Sequence, residues 1–197
     1  MTATAKIVFA TNNAHKLAEL RQMLGHRFGV LSLDDIGCHD DIPETGNSFR
    51  ENALQKARWV KERYGYDCFA DDSGLEVDAL GGAPGILSAR YAGSHGDSRA
   101  NNDKLLAELD GIADRRARFR CSIALLHGSD DPVFFDGTVE GEIILAPDGS
   151  AGFGYDPLFR PLGWDCTFAQ ASPDRKNAIS HRGKAVEALV RYLEKLH

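Results

Sequence analysis

Apolar positions along the chain follow two periods. Lys6–Ala10 is a short apolar run that predicts a buried strand, after which Thr11, Asn12 and Asn13 turn the chain. Leu17, Leu20 and Leu24 recur at spacings of three and four, which marks one face of a helix. Phe28–Leu33 predicts a second strand, and the polar stretch 34–47, with Pro43 and Gly46, predicts a loop. Ser48 and Glu51 form an S-x-x-E capping box, so a helix starts there and runs to about Tyr64. Cys68–Ala70 reads as a short strand that ends in Asp71-Asp72-Ser73-Gly74. Leu75, Val77 and Ala79 then alternate with Glu76 and Asp78, as on a half-exposed strand. Residues 81–85 form a loop and Asp97–Leu109 a helix. Phe119, Cys121, Ile123 and Leu125 alternate over a strand, and Val133–Leu145 is strand-like with breaks at Gly137 and Gly141. The Gly- and Pro-rich stretch 147–163 predicts a shaped loop, and Ser180–Leu196 a last helix with Val186, Leu189, Val190 and Leu193 on one face.

Strands and helices mix throughout, which predicts an α/β chain with a mixed sheet. In such sheets ligands bind beyond the carboxyl ends of strands. A length of 197 residues fits one domain, or one domain with two lobes. The 43% hydrophobic and 26% charged residues are ordinary for a soluble globular protein and argue against disorder. Twenty-three basic against 29 acidic residues give a net charge of −6, which argues against coating nucleic acid or an anionic membrane. A small anionic ligand then needs a local basic cluster or a metal. No apolar run approaches the roughly 18 residues of a membrane span. The run Ile7–Ala10 is too short for a signal peptide. Cys38, Cys68, Cys121 and Cys166 form no CxxC pair, so a zinc ribbon or redox motif is not expected and buried thiols are. A cytoplasmic enzyme or binding protein fits these features.

Five segments carry candidate chemistry. In Thr11–Lys16, TNNAHK, a strand gives way to a helix whose free N–H groups and dipole suit phosphate. Lys16 opposes that dipole unless it faces an anion; otherwise Thr11 or Asn13 caps the helix and Lys16 is solvated. In Phe69–Gly74, FADDSG, adjacent Asp71 and Asp72 suit a magnesium–nucleotide site or a general base toward water, or form an Asx-type turn. Glu76 and Asp78 either extend that acidic group or face water. Glu44 in PETGNS, and Lys56 on the helix that follows, either join the site or are solvated. GFGYDP, Gly152–Pro157, offers Phe153 and Tyr155 for base stacking, or as anchors of a packed loop. Arg175, Lys176, His181, Arg182 and Lys184 are the densest basic cluster, meeting a phosphate or a base carbonyl, or opening a solvated helix. Arg115, Arg116, Arg118 and Arg120 read as a solvated strand face.

Together these segments are the inventory of a nucleoside triphosphate site. TNNAHK, ETGNSFRENALQKA, ADDSGLEVDALGGAPGILSARYAG, GFGYDPLF and KNAISHRGKA occur in that order, almost end to end. Through them the chain resembles the inosine triphosphatase-like (Ham1/RdgB-type) non-canonical purine nucleoside triphosphate pyrophosphatases. The resemblance implies one domain over 1–197, with an elongated mixed sheet flanked by helices and two lobes around a central cleft. It implies Mg²⁺-dependent hydrolysis of dITP, ITP and XTP to the monophosphate and pyrophosphate, by a homodimer. It places Thr11, Asn12, Asn13, Ala14, His15 and Lys16 on the triphosphate, joined by Lys56 and Arg90. It implies that Glu44 and Asp72 bind Mg²⁺, with Asp72 as the base toward water, and that Ser73 touches substrate. It further implies that Phe153, Gly154, Tyr155 and Asp156 shape the base pocket, with Phe153 the stacking ring, and that Lys176, His181 and Arg182 complete base and substrate recognition. The family often has Gly at the second position of T-x-N-x-x-K; here it is Asn12, which tolerates left-handed backbone angles.

The implied reaction is in-line attack of water on the α-phosphorus, with the lysines and Mg²⁺ offsetting charge on the departing pyrophosphate. Arg182 and backbone N–H groups favour a 6-oxo purine over adenine. Alternative readings are a nucleotide-binding module without turnover, a haloacid-dehalogenase-type phosphomonoesterase, for which the D-x-D pattern is missing, and a Maf-type pyrophosphatase acting on other modified nucleotides.

Overall fold

The computed structural model describes residues 6–24, 28–129 and 131–196. Residues 1–5, which also entered the expectation of no signal peptide, lie outside them. Strand β1 (Lys6–Phe9) leads into helix α1 (Ala14–Leu24), then strand β2 (Gly29–Leu31). Helix α2 (Phe49–Tyr64) follows the 34–47 loop, which contains a 3₁₀ turn at Asp34–Ile36. Ser48 caps α2 as expected, its Oγ accepting from Glu51 N–H at 3.2 Å. The Glu51 carboxylate reaches one residue further back than a capping box requires, accepting from Asn47 N–H at 2.7 Å.

Strand β3 (Cys68–Val77) is one unbroken strand of ten residues. The expected turn at Asp71–Gly74 is therefore absent, and Ala79 lies in the 3₁₀ turn Asp78–Leu80 instead of on a strand. A second 3₁₀ segment, Gly85–Arg90, precedes helix α3 (Ser98–Glu108), which Asp97 caps. Strands β4 (Arg116–Leu126) and β5 (Val133–Ile143) follow, then β6 (Phe159–Pro161). β5 runs as a continuous strand through Gly137 and Gly141, without the expected breaks. A Cβ on Gly141 would lie 2.4 Å from the Arg160 carbonyl oxygen, so this glycine admits β6. The last stretch holds two helices, α4 (Pro173–Asn177) and α5 (His181–Leu193).

The strands form one sheet in the order β2-β1-β3-β4-β5-β6. β1 runs parallel to both β2 and β3, whereas β5 and β6 are antiparallel, so the sheet is mixed. The chain packs as two compact units. The first holds residues up to Asp72, Cys121–Asp136 and residues from Ala185 on; the second holds Ser73–Arg120 and Gly137–Lys184.

In the first unit the pleat divides the apolar residues. Ile7, Phe9 and Phe69 pack with Leu20, Leu24, Ile123, Leu125, Val186 and Leu189, while Val8, Ala10, Cys68 and Ala70 pack with Leu33, Ala57, Val60 and Leu126. Both faces of β1 are thus covered, which explains its continuous apolar run. The second unit encloses Leu75, Val77, Leu105, Leu109, Phe119, Phe159 and Phe168. Cys38, Cys68 and Cys121 are buried, as the sequence suggests, but Cys166 is only half-buried, its Sγ 3.3 Å from Arg175 Nη1. Among the described residues, no helix is long and apolar enough to cross a membrane.

Candidate functional site

In the first unit, Thr11 and Asn13 shape the turn between β1 and α1. Thr11 Oγ1 accepts from Asn13 N–H at 3.1 Å, and Asn13 Oδ1 accepts from the N–H groups of His15 and Lys16 at 3.0 and 3.2 Å. Two of the N–H groups that the sequence leaves free for phosphate are therefore capped by Asn13. Asn12 does not use left-handed angles, since no described non-glycine residue has positive φ; its Nδ2 donates to the Asp40 carbonyl at 3.4 Å. Ala14 and His15 are exposed at the helix start. Lys16 is not solvated. Its Nζ lies 3.1 Å from Asp71 Oδ2 and 3.2 Å from Oδ1, with Asp71 1% exposed.

Consecutive strand residues present opposite faces. That separates the two aspartates without a turn. Asp71 meets Lys16, while Asp72 Oδ2 accepts from Asn52 Nδ2 at 2.9 Å. Lys56, 6% exposed, bonds the Glu44 carboxylate and feels the charge of Asp72 and Asp71 as well. Burial disfavours its charge, and the three carboxylates more than restore it, holding its pKa above the usual lysine value. Burial raises Glu44, but Lys56 and Lys16 outweigh it and leave that carboxyl below its usual range. At Asp72 burial prevails over Lys56, Lys16 and the Asn52 amide, and its pKa lies above 3.8.

Three carboxylates against two lysines leave one negative charge in this group. Glu44 and Asp72 are hard oxygen donors, and Mg²⁺ commonly takes one or two carboxylates with substrate phosphates supplying further ligands. The described residues contain no group of three or more His, Cys, Asp or Glu placed to hold a metal alone. The donor chemistry of Glu44 and Asp72 fits a magnesium ion. Glu76 and Asp78 do not extend this group. They pair across the strands with Arg120 at 3.3 Å and Arg118 at 2.9 Å, and Glu140 meets Arg118 at 3.0 Å. Arg116 and Arg120 keep about three-quarters and one-half of their side chains exposed (73% and 48%), as a solvated face should, while Arg115 turns in to the carbonyls of Leu109, Ile143 and Ile144.

The second unit gathers Ser73, the 152–156 loop, Lys176, His181 and Arg182. Arg182 is 2% exposed and its Nη2 donates to Ser73 Oγ at 3.0 Å. Phe153 is half-buried, with Lys176 Nζ 5.0 Å and Arg182 Cζ 5.7 Å from its ring centroid. Asp156 shapes its own loop. Its Oδ2 accepts from Phe153 N–H at 2.9 Å and from Lys176 Nζ at 2.7 Å. A Cβ on Gly152, at φ +76°, would stand 2.1 Å from that oxygen, so the loop needs glycine there. Tyr155 is an anchor: its ring joins the core and its hydroxyl donates to the Ser88 carbonyl at 2.9 Å. His181 stacks on Phe119 with centroids 4.8 Å apart.

The basic cluster of the sequence divides. Lys176, His181 and Arg182 are buried, whereas Arg175 is exposed over Trp164 at 4.1 Å, and exposed Lys184 donates to the Thr138 carbonyl at 2.6 Å. Arg90 is half-buried at the end of its 3₁₀ segment, in the second unit, whereas Lys16 and Lys56 lie in the first.

Sequence reasoning passed over Asn52, Asn101 and Asn102. Asn52 lies on the α2 stripe Phe49, Asn52, Ala53, Lys56, Val60, where a polar side chain among inward positions is the available signal. Asn101 Oδ1 accepts from Ala92 N–H at 2.7 Å and Asn102 Nδ2 donates to the Gly154 carbonyl at 3.1 Å. They tie α3 to the segment after Arg90 and to the 152–156 loop. Helix α3 has too little apolar periodicity to reveal these roles.

The profile described as the Ham1 family matches residues 7–192. A dITP/XTP pyrophosphatase of Flavobacterium psychrophilum is 49% identical over 189 residues, covering 96% of this chain and 99% of that one. One from Porphyromonas gingivalis is 50% identical over 191 residues, covering 95% and 97%. The solved structure of the Staphylococcus aureus Ham1 protein superposes with a TM-score of 0.88 at 41% identity, covering 98% of this chain and all of that one (100%).

Proposed function

Because the chain belongs to the Ham1 family, we propose that it hydrolyses non-canonical purine nucleoside triphosphates, dITP, ITP and XTP, to the monophosphate and pyrophosphate. The observation that carries this reading is the cluster of buried Asp71, Asp72 and Lys56 with half-buried Glu44 and Lys16, one negative charge in excess. Such a group suits a cation and polyphosphate together better than either alone. When bound beside Glu44 and Asp72, Mg²⁺ offsets charge on the phosphate oxygens.

The residues then divide the work. Thr11–Lys16 and Lys56 face the triphosphate. Asp72, whose raised pKa makes it a better proton acceptor than an ordinary aspartate, orients water and takes its proton as the oxygen attacks the α-phosphorus. The bond to the bridging oxygen breaks and pyrophosphate leaves. Lys16 and Lys56 offset the charge that grows on it. Phe153 offers a ring face to the purine, flanked by the Lys176 and Arg182 cations, and the Arg182 guanidinium donates to a 6-oxo group. Three strands pass through both compact units, which supports a single functional domain. The resemblance extends to a homodimer acting on the cytoplasmic nucleotide pool, and the net charge of −6 supports a free nucleotide over a nucleic acid polymer as substrate.

Product analysis tests the reading. With Mg²⁺ and dITP or XTP, phosphate is expected only when inorganic pyrophosphatase is added, and far less with ATP. Removing divalent cations with a chelator should abolish the signal, and returning Mg²⁺ should restore it. Phosphate released without the coupling enzyme would overturn the proposal.

A further inference from the structure

Asn52 has no part in the chemistry just described, yet its surroundings are specific. It lies on the inward face of α2, one turn before Lys56, and is 1% exposed. Both ends of its amide are engaged. Nδ2 donates to Asp72 Oδ2 at 2.9 Å, and Oδ1 accepts from Gly46 N–H at 2.8 Å. Gly46 stands two residues beyond Glu44. One buried amide thus joins the strand that carries Asp72 to the loop that carries Glu44.

The contact is tight on the loop side. A Cβ on Gly46 would lie 2.9 Å from Asn52 Oδ1 and 2.6 Å from Glu51 Cβ, so the loop backbone rests directly on the amide. The loop is fixed on either side of this contact by Thr45 N–H to Gln55 Oε1 at 2.9 Å and Asn47 N–H to Glu51 Oε2 at 2.7 Å. Asparagine meets both demands at this reach. Aspartate has no donor for Asp72, and alanine has neither group.

We infer that Asn52 is a positioning residue that holds the Asp72 carboxylate and the Glu44 loop in register for attack by water. The inference rests on the functional reading above. Asn52 touches no reacting atom; it acts by fixing the rotation of Asp72 through Oδ2 and the path of the loop through Gly46.

A double-mutant cycle on the full chain, with kcat and KM for dITP measured by coupled pyrophosphate release, is the test. Asn52→Ala is expected to lower kcat about 30- to 100-fold while KM changes less than about threefold. In an Asp72→Asn background the same substitution should lower kcat by a smaller factor, about three- to tenfold, because its hold on Asp72 is already disabled and only its hold on the Glu44 loop remains. Gly46→Ala, which drives a methyl group against the amide, should repeat the pattern. If Asn52→Ala does not fold, Asn52→Ser carries the same cycle, since its shorter neutral hydroxyl adds no charge and does not reach both Asp72 and Gly46. An equal fold-loss in both backgrounds would overturn the inference, as would wild-type kcat in Asn52→Ala. Wild-type protein that releases no pyrophosphate from dITP would overturn the functional reading, and this inference with it.

Discussion

Burial shifts the Asp72 carboxylate toward its protonated form. Burial keeps its pKa above 3.8 although Lys56, Lys16 and the Asn52 amide all pull it down. In the metal-free protein the sign of the pH effect follows. As pH rises from the ordinary aspartate value toward the raised one, the unfolded chain has released this proton and the folded chain has not. Asp72 therefore lowers stability through that window, and its contribution is level above it. Asp72→Asn should fold, lose at least about 100-fold in turnover, and melt at a higher temperature than wild type at pH 7. The gap in stability should widen as pH rises through the window, which denaturant unfolding at several pH values would measure; a gap that narrows would contradict the electrostatic picture. Arg182 makes a different demand. Arg182→Ala removes a donor matched to a 6-oxo group, so the preference for ITP over ATP, read as a ratio of kcat/KM, should fall about 10- to 100-fold. An unchanged ratio would move selectivity elsewhere. At this scale the chemical groups Lys16, Glu44, Lys56 and Asp72 are legible in the sequence as residue types near turns. The partner of Asp72 is not, because Asn52 is a single amide on a helix stripe and its contact with β3 spans 20 positions.

Elements set the directions in which those groups point. DDSG has the composition of a turn, and composition alone cannot reveal that Asp71 and Asp72 lie on a strand. The pleat sends them to opposite faces, where Lys16 and Asn52 receive them. The start of α5 is set just as closely. A Cβ on Gly183 would lie 1.9 Å from the Asn177 carbonyl oxygen and 3.1 Å from Ser180 Oγ, so α5 begins pressed against the end of α4. Gly183→Ala should destabilise the protein by about 1–3 kcal/mol through overpacking and raise KM for dITP, because His181 and Arg182 immediately precede it. Thermal melts and steady-state kinetics check both parts. The capping signal at Ser48 is legible in the sequence, and Ser48 Oγ accepts from Glu51 N–H. Helix α4 is not legible, because five residues give no helical period to read.

For the whole molecule, the alternation of strands and helices is enough to indicate an α/β chain with a mixed sheet, and the order β2-β1-β3-β4-β5-β6 realises it. The edge strands β2 and β6, three residues each, are too short for any period, so the sheet order is not readable from the chain alone. Membership of the Ham1 family rests on motifs spread over residues 7–192, a scale at which no single weak signal decides. The claim that unites these scales is that water, directed by Asp72, attacks the α-phosphorus of a non-canonical purine nucleoside triphosphate. Hydrolysis of dITP in ¹⁸O-enriched water, followed by mass spectrometry of both products, tests it most directly. The mechanism requires the solvent oxygen in dIMP and none in pyrophosphate. Label in the pyrophosphate, or in released orthophosphate, would contradict it.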